Sequence, residues 1–84
     1  MYFTGNVIVR FKKSVLEPQG KAIEMSLGEN GFKGVSQIRV GKSIEVTVDA
    51  ASSVEAEKLI REIAEKMLFN PVMEHCEVHM VESP

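Results

Sequence analysis

The stretch IRVGKSIEVTV, residues 38–48, decides the fold of this chain. Apolar side chains occupy alternate positions on both sides of Gly41-Lys42-Ser43, and a period of two is typical of strands with one buried face. Three residues beginning with glycine are enough to connect two antiparallel strands. The stretch therefore predicts a β-hairpin in the middle of the chain.

Two more alternating segments lie near the ends of the chain. Apolar residues or glycine fall on every second position from Phe3 to Phe11, which predicts a first strand. Cys76, Val78 and Met80 alternate in the same way and predict a last strand, with all three side chains pointing inward. As a small residue on the inner face, the cysteine is interpreted as part of the core.

A helix is predicted between the first strand and the hairpin. Pro18 suits a first helical turn, where the N–H that proline lacks has no partner in the helix. Gly31 can adopt the left-handed conformation that ends a helix, and Phe32 would then pack on Leu27. Ile23 and Leu27 are four residues apart, so we expect them to form the buried stripe.

A second helix is predicted after the hairpin. Ser52 and Glu55 have the spacing of a capping box at its start, and Asn70-Pro71 ends it because proline cannot continue a helix. Its apolar residues recur at helical spacing and predict a buried face made of Val54, Leu59, Ile63 and Met67, widened by Ile60, Ala64 and Leu68.

The predicted order is β-α-β-β-α-β, in one domain that covers residues 1–84. Two helices can cover one face of a four-stranded antiparallel sheet, which is the ferredoxin-like α+β arrangement. Ile8 is then the main apolar residue on the opposite face. The polar residues expected on that open face are Arg10, Gln37, Arg39, Glu45, Thr47, His75, Glu77 and His79.

Composition narrows the possible functions. A net charge of −2 gives no electrostatic attraction to nucleic acid, and the predicted strand at 44–48 has no aromatic residue for stacking a base. No apolar run approaches the ~20 residues of a membrane span, and no signal peptide is recognisable, so we expect a cytoplasmic protein. One cysteine allows no internal disulfide, and 84 residues bury a small core, so we expect a homodimer.

Two patterns suggest chemistry, but neither satisfies its geometric requirements. Gly41-Lys42-Ser43 resembles the end of a phosphate-binding loop, yet the required earlier glycine is Ser36, and a strand rather than a helix follows. His75, Glu77 and His79 share one face of the last strand, where the outer two lie ~13 Å apart, too far for one metal ion. We therefore predict no catalytic residue, no metal site and no bound cofactor.

One alternative function remains open from the topology. Small regulatory domains of the ACT type share it and often bind amino acids where two subunits meet, without a strong local motif. Nothing in the residue pattern separates such a ligand-binding domain from a protein-binding one.

Three segments carry a resemblance to a known family. Leu16–Ala22 (LEPQGKA), Arg39–Glu45 (RVGKSIE) and Asn70–Glu74 (NPVME) resemble, in order and separation, segments of PurS, the small subunit of phosphoribosylformylglycinamidine synthase. The resemblance extends over nearly the whole chain. Its three segments lie where the first strand leads to a helix, at the predicted hairpin, and where the second helix leads to the last strand.

The resemblance implies a non-catalytic subunit, usually a homodimer. It would join a glutaminase subunit to a large synthase subunit, and support glutamine-dependent amidation of formylglycinamide ribonucleotide. The complex uses ATP, Mg and glutamine, none of which this chain is expected to bind. Five polar residues of these segments are candidates for partner contact, with structural capping an equal alternative: Glu17, Gln19, Lys42, Ser43 and Asn70.

Overall fold

The computed structural model describes residues 1–81 and shows an α+β fold; residues 82–84 of the predicted domain lie outside that description. A π-helical turn at Ala64–Leu68 continues the second helix. The elements in chain order are β1 (Tyr2–Phe11), α1 (Pro18–Glu29), β2 (Lys42–Asp49), α2 (Ser53–Ile63) and β3 (Glu74–Val81).

The three strands form an antiparallel sheet with β1 in the centre, in the order β2-β1-β3. Val9 of β1 pairs with Lys42 of β2, and Phe11 pairs with Glu74 of β3. The end of β1 therefore meets the first residues of both neighbouring strands. This end of the sheet also receives the loops that lead into β2 and β3.

The core lies between the sheet and α2. Ile60 is its largest wholly buried side chain, and Gly5 of β1 makes room for it. A Cβ at Gly5 would stand 2.9 Å from Ile60 Cδ1, so a glycine is required for α2 to approach the sheet this closely. The buried apolar residues are Val7, Val9, Val48, Ala56, Ile60, Ala64 and Val78.

The buried face of α2 differs in part from the predicted one. Ile60 and Ala64 are buried as predicted, and Ala56 continues their line one turn earlier. Val54 and Met67 were predicted to be buried, but they are 77% and 83% exposed. Alanines are small enough to let the helix lie close to the sheet, so the face that carries them turns toward the core. The positions of the larger apolar residues alone do not indicate this rotation of the helix about its axis.

The predicted helix ends are confirmed where they rest on capping chemistry. The Ser52 hydroxyl accepts the Glu55 N–H at 3.2 Å, which starts α2. At the end of α1, the Phe32 N–H donates to the Leu27 carbonyl at 3.0 Å, and Gly31 has a φ of 87°. These are the features of a Schellman ending, which the glycine and the apolar pair predicted.

The predicted four-stranded sheet is wrong for the described chain, because residues 38–40 form no strand. The Val40 N–H donates to the Glu17 carboxylate at 2.9 Å instead of to a neighbouring strand. The Arg39 guanidinium donates to the carbonyls of Lys12 at 3.0 Å and Val15 at 2.6 Å. These bonds hold the segment against the chain that precedes α1, so it does not fold back on β2 and no hairpin forms.

We call residues 12–41 the arm. The prediction that α1 covers the sheet beside α2 is wrong, since α1 packs extensively on no other element. Its apolar residues are left accessible, with Ile23 41% and Met25 61% exposed. The radius of gyration is 16.5 Å, against roughly 12 Å for a globular domain of this length. The bonds at the base of the arm direct α1 away from the sheet.

Candidate functional site

The base of the arm is built around one carboxylate. Glu17 is only 6% exposed, and its side chain accepts the N–H groups of Gln19 at 2.9 Å and Gly20 at 2.5 Å, capping α1. It also accepts the N–H of Val40, 23 residues along the chain. One side chain thus satisfies three backbone donors from two separate segments, which we call the Glu17 clasp.

The surroundings of Glu17 keep it ionised. Burial alone would raise the pKa of Glu17, but the three backbone N–H donors together with the charge of Arg39 outweigh it and hold the pKa below its ordinary value. A carboxylate of this kind is an acceptor only, which suits a site made of donors. At neutral pH the clasp is therefore closed by a charged group.

Two glycines allow the chain segments to meet here. A Cβ at Gly20 would stand 2.1 Å from the Ile38 carbonyl oxygen, and a Cβ at Gly41 would stand 2.6 Å from that of Val9. Both belong to segments that carry the family resemblance. The prediction that Gly41 serves a hairpin turn is wrong; it lets the end of the arm pass close to β1 instead.

Three of the five candidate partner residues lie around one cavity beside the clasp. Glu17, Gln19 and Lys42 line this cavity of about 200 Å³, together with Glu74 at the start of β3. The Gln19 and Lys42 side chains are exposed, unlike Glu17. These residues come from opposite ends of the arm, and the clasp brings them together.

The other two candidates lie close to the same end of the sheet. Asn70 Oδ1 accepts the Val72 N–H at 2.9 Å, and the Asn70 N–H donates to the Glu74 carboxylate at 2.8 Å. Ser43 is exposed and is paired in the sheet with Ile8. Asn70 therefore shapes the turn before β3 by local capping, whereas no hydrogen bond occupies the Ser43 side chain within residues 1–81.

Sequence reasoning missed Arg39 and Glu74 as members of this site. Arg39 was expected on the open sheet face, but it joins the end of the arm to the first residues of the arm, which follow β1. A signal was present in the position of Gly20, because glycine in a first helical turn lowers stability unless another backbone approaches closely. The approaching backbone is that of Ile38.

The described chain contains no arrangement typical of a catalytic centre. The Cys76 thiol is partly buried on the α2 side of the sheet, and burial raises its pKa, which disfavours the reactive thiolate. On the open face, Glu77 contacts His79 at 3.1 Å and Arg10 at 3.2 Å. The hydrogen bond with His79 and the charge of Arg10 hold the pKa of Glu77 below its ordinary value.

Residues 1–81 contain neither a metal-binding cluster nor a membrane-spanning helix. Among residues 1–81, no three His, Cys, Asp or Glu side chains are grouped so that they could hold a metal ion. None of the helices in the same range has the length and apolar character to cross a membrane. The polar groups around the Glu17 clasp offer hydrogen bonding and charge at one end of the sheet.

Comparison with known proteins identifies the family. The family model PurS, phosphoribosylformylglycinamidine (FGAM) synthase, matches residues 4–82. The FGAM synthase subunit PurS of Synechocystis is 36% identical over 69 residues, which is 82% of this chain and 69% of that protein.

Solved structures give the same assignment. The crystal structure of the PurS subunit from Thermotoga maritima has a TM-score of 0.88 at 32% identity, over 96% of this chain and 93% of that one. A chain in the structure of PurLQS from Thermotoga maritima has a TM-score of 0.87 at 32% identity, over 96% of this chain and 99% of that one. This chain therefore belongs to the PurS family of FGAM synthase subunits.

Proposed function

We propose that this chain joins the glutaminase subunit to the large ATP-dependent subunit of FGAM synthase, and contributes no catalytic residue of its own. The main support is that this chain resembles a chain in the structure of PurLQS, with a TM-score of 0.87 over 96% of the length of this chain. The match covers both the sheet and the arm. Family membership favours this function over the ACT-type alternative.

The reaction gives a physical reason for such a subunit. Glutamine-dependent amidation of formylglycinamide ribonucleotide needs ammonia released at one site to reach another without escaping or being protonated. A subunit that fixes the two sites relative to each other serves this need through contacts alone. ATP, Mg and glutamine are then bound by the other two subunits, and the assembly works in the cytoplasm.

We place the partner contact at the end of the sheet that lies beside the Glu17 clasp. Gln19, Lys42 and Ser43 expose polar side chains there, which makes them the stronger candidates for contact. Glu17 and Asn70 are engaged in capping, so their contribution is to hold the surface in shape. This separates the five candidates into residues that contact a partner and residues that position them.

We further infer that the chain works as a homodimer. The arm exposes apolar side chains, Met25 at 61% and Phe32 at 59%, and the outer edge of β2 has no neighbouring strand among residues 1–81. An exposed strand edge tends to pair with another chain. A second copy would supply the fourth strand at that edge and complete the ferredoxin-like sheet. Sedimentation at micromolar concentration should give a dimer; a folded monomer alone would contradict this.

Reconstitution tests the proposed function. Purified glutaminase and large subunits should form product from glutamine only when this chain is added, whereas the large subunit supplied with ammonia should need no addition. The ammonia reaction controls for inactive protein. Equal glutamine-dependent rates with and without the chain would overturn the proposal. In the same preparation, an amino acid that raises the melting temperature of the chain alone would favour the ACT-type alternative.

A further inference from the structure

A second cavity at the base of the arm is lined by cationic side chains. It has a volume of about 250 Å³, and Arg10, Lys13, Arg39 and His75 all line it. No aspartate or glutamate is among its lining residues in the described chain. Three permanent positive charges around one small cavity are unusual in a chain whose net charge is −2. The cavity therefore concentrates charge of the sign opposite to that of the whole protein.

Two of the charged side chains that line this cavity, Arg39 and Arg10, are held in place by bonds to other groups. Arg39 donates to two backbone carbonyls, at 3.0 and 2.6 Å, and so cannot fold away from the cavity without breaking them. Arg10 is held by Glu77 on the open sheet face at 3.2 Å. The remaining lining consists of Phe11, Val40 and Gly41. Preorganised donors lose less entropy on binding than mobile ones, and the apolar lining adds contact area.

The cationic lining continues into a larger neighbouring cavity. That cavity, of about 490 Å³, shares Lys13 and Arg39 and adds Lys21 from α1. Two acidic residues also line it, Glu17 and Glu24, and the carboxylate of Glu17 is occupied by backbone N–H groups. Because they share Lys13 and Arg39, the two cavities adjoin, and we call them together the cationic groove. Their volumes give more room than a single ion needs.

The backbone donors at the start of α1 are not free to bind a ligand in the groove. Phosphate sites commonly use the free N–H groups of a helix N-terminus. Here the N–H groups of Gln19 and Gly20 at the start of α1 are already bound by Glu17. What remains are side-chain cations beside apolar surface, a combination typical of protein interfaces.

We propose that the cationic groove docks an acidic segment of one of the other two synthase subunits. This inference rests on the proposed function, because a joining subunit needs a surface that selects its partner. Charge complementarity would speed assembly and fix the orientation of the chain in the complex. The groove lies at the same end of the sheet as the exposed candidates Gln19 and Lys42.

The test compares two matched double variants. Arg10→Gln with Lys13→Gln removes two charges from the groove and leaves Arg39, which holds the arm. Arg61→Gln with Lys58→Gln removes the same two residue types from α2, where Arg61 is likewise paired with a glutamate, at 3.0 Å. Binding of each double variant to the purified glutaminase and large subunits is measured at low and high salt, and melting temperatures confirm that both variants fold.

The groove variant should bind roughly tenfold more weakly than wild type at low salt and show a shallower salt dependence. The α2 variant should match wild type. If wild type binds the other subunits and the two double variants bind equally well, the docking role of the groove is overturned and the proposed function stands. If wild type itself does not bind, both the docking role and the proposed function are overturned. If inorganic phosphate raised the melting temperature of wild type but not of the groove variant, a phosphate-bearing ligand would replace the acidic segment and the proposal would fall.

Discussion

The sheet with α2 and the arm differ in the forces that hold them. Between the sheet and α2 lies an apolar core in which Val7 and Ile60 are wholly buried. The arm contributes no residue to that core, and its two ends are held together by the Glu17 clasp and by Arg39, which donates to the backbone carbonyls of Lys12 and Val15. One region is stabilised by apolar burial, and the other by hydrogen bonds to a few charged side chains.

In the proposed function the partner contacts lie around the base of the arm, whereas the apolar core that stabilises the fold lies between the sheet and α2. Substitutions in the sheet and α2 should change the free energy of unfolding. Substitutions at the base of the arm should change where α1 lies, with a smaller effect on global unfolding. Parts that carry binding surfaces are often drawn from the less stable portion of a domain. The variants and conditions that follow test whether apolar burial and charged contacts stabilise different parts of the chain.

The largest effect on stability is expected from Ile60→Ala. Ile60 is 0% exposed, and removing a buried isoleucine side chain leaves a cavity that typically costs about 2–5 kcal/mol. Val54→Ala on the same helix is the control, because Val54 is 77% exposed and should cost less than about 0.5 kcal/mol. Urea unfolding measures both. Equal losses for the two variants would mean that α2 is not packed as described.

Lowering the pH is expected to have an intermediate effect, confined to the backbone groups that Glu17 binds. Because the folded state lowers the pKa of Glu17, its contribution is present above the ordinary value of 4.5 and is lost as the pH falls through the lowered value. Amide signals of Gln19, Gly20 and Val40 should then change together below about pH 4.5, while those of β1 stay constant.

Glu17→Gln provides the control for this titration. An amide side chain cannot reproduce the charged acceptor, so the three amides should be less protected from exchange already at neutral pH. Their titration should also disappear. An unchanged Val40 signal in this variant would show that the clasp does not hold the arm.

The smallest effect is expected from Glu57→Gln on α2. Glu57 and Arg61 form an exposed pair with 3.0 Å between carboxylate oxygen and guanidinium nitrogen, one helical turn apart. Such pairs contribute about 0.3–0.5 kcal/mol, and less at high salt. Urea unfolding at two salt concentrations checks this. A loss above about 1 kcal/mol would show that charge, and not apolar burial alone, stabilises the sheet with α2.

Local chemistry in the sequence predicted the local structure well. Ser52 with Glu55 predicted the start of α2, and Gly31 with Phe32 predicted the end of α1. Alternating side chains predicted the three strands that form. At the two helix ends the interacting groups lie within a few residues of one another, so the local sequence contains the whole interaction.

The failures concern contacts between distant segments. Alternation at Ile38 and Val40 indicates extended chain, but it does not indicate which group will accept the Val40 N–H. The acceptor is a carboxylate 23 residues earlier in the chain, and that contact replaces the predicted hairpin. For the candidate site, the family-like segments supplied three residues that the structure places around one cavity, but the roles of Glu17 and Arg39 in closing the base of the arm required the geometry.

Under the proposed function, the arm closed by the Glu17 clasp presents the partner contacts, while the sheet and α2 provide stability. Glu17→Ala in the reconstituted complex tests it most directly. We predict a fall of roughly tenfold or more in the glutamine-dependent rate, with the ammonia-dependent rate and the cooperative unfolding of the sheet retained. An unchanged glutamine-dependent rate, with the amides of α1 shown to exchange freely, would contradict the account.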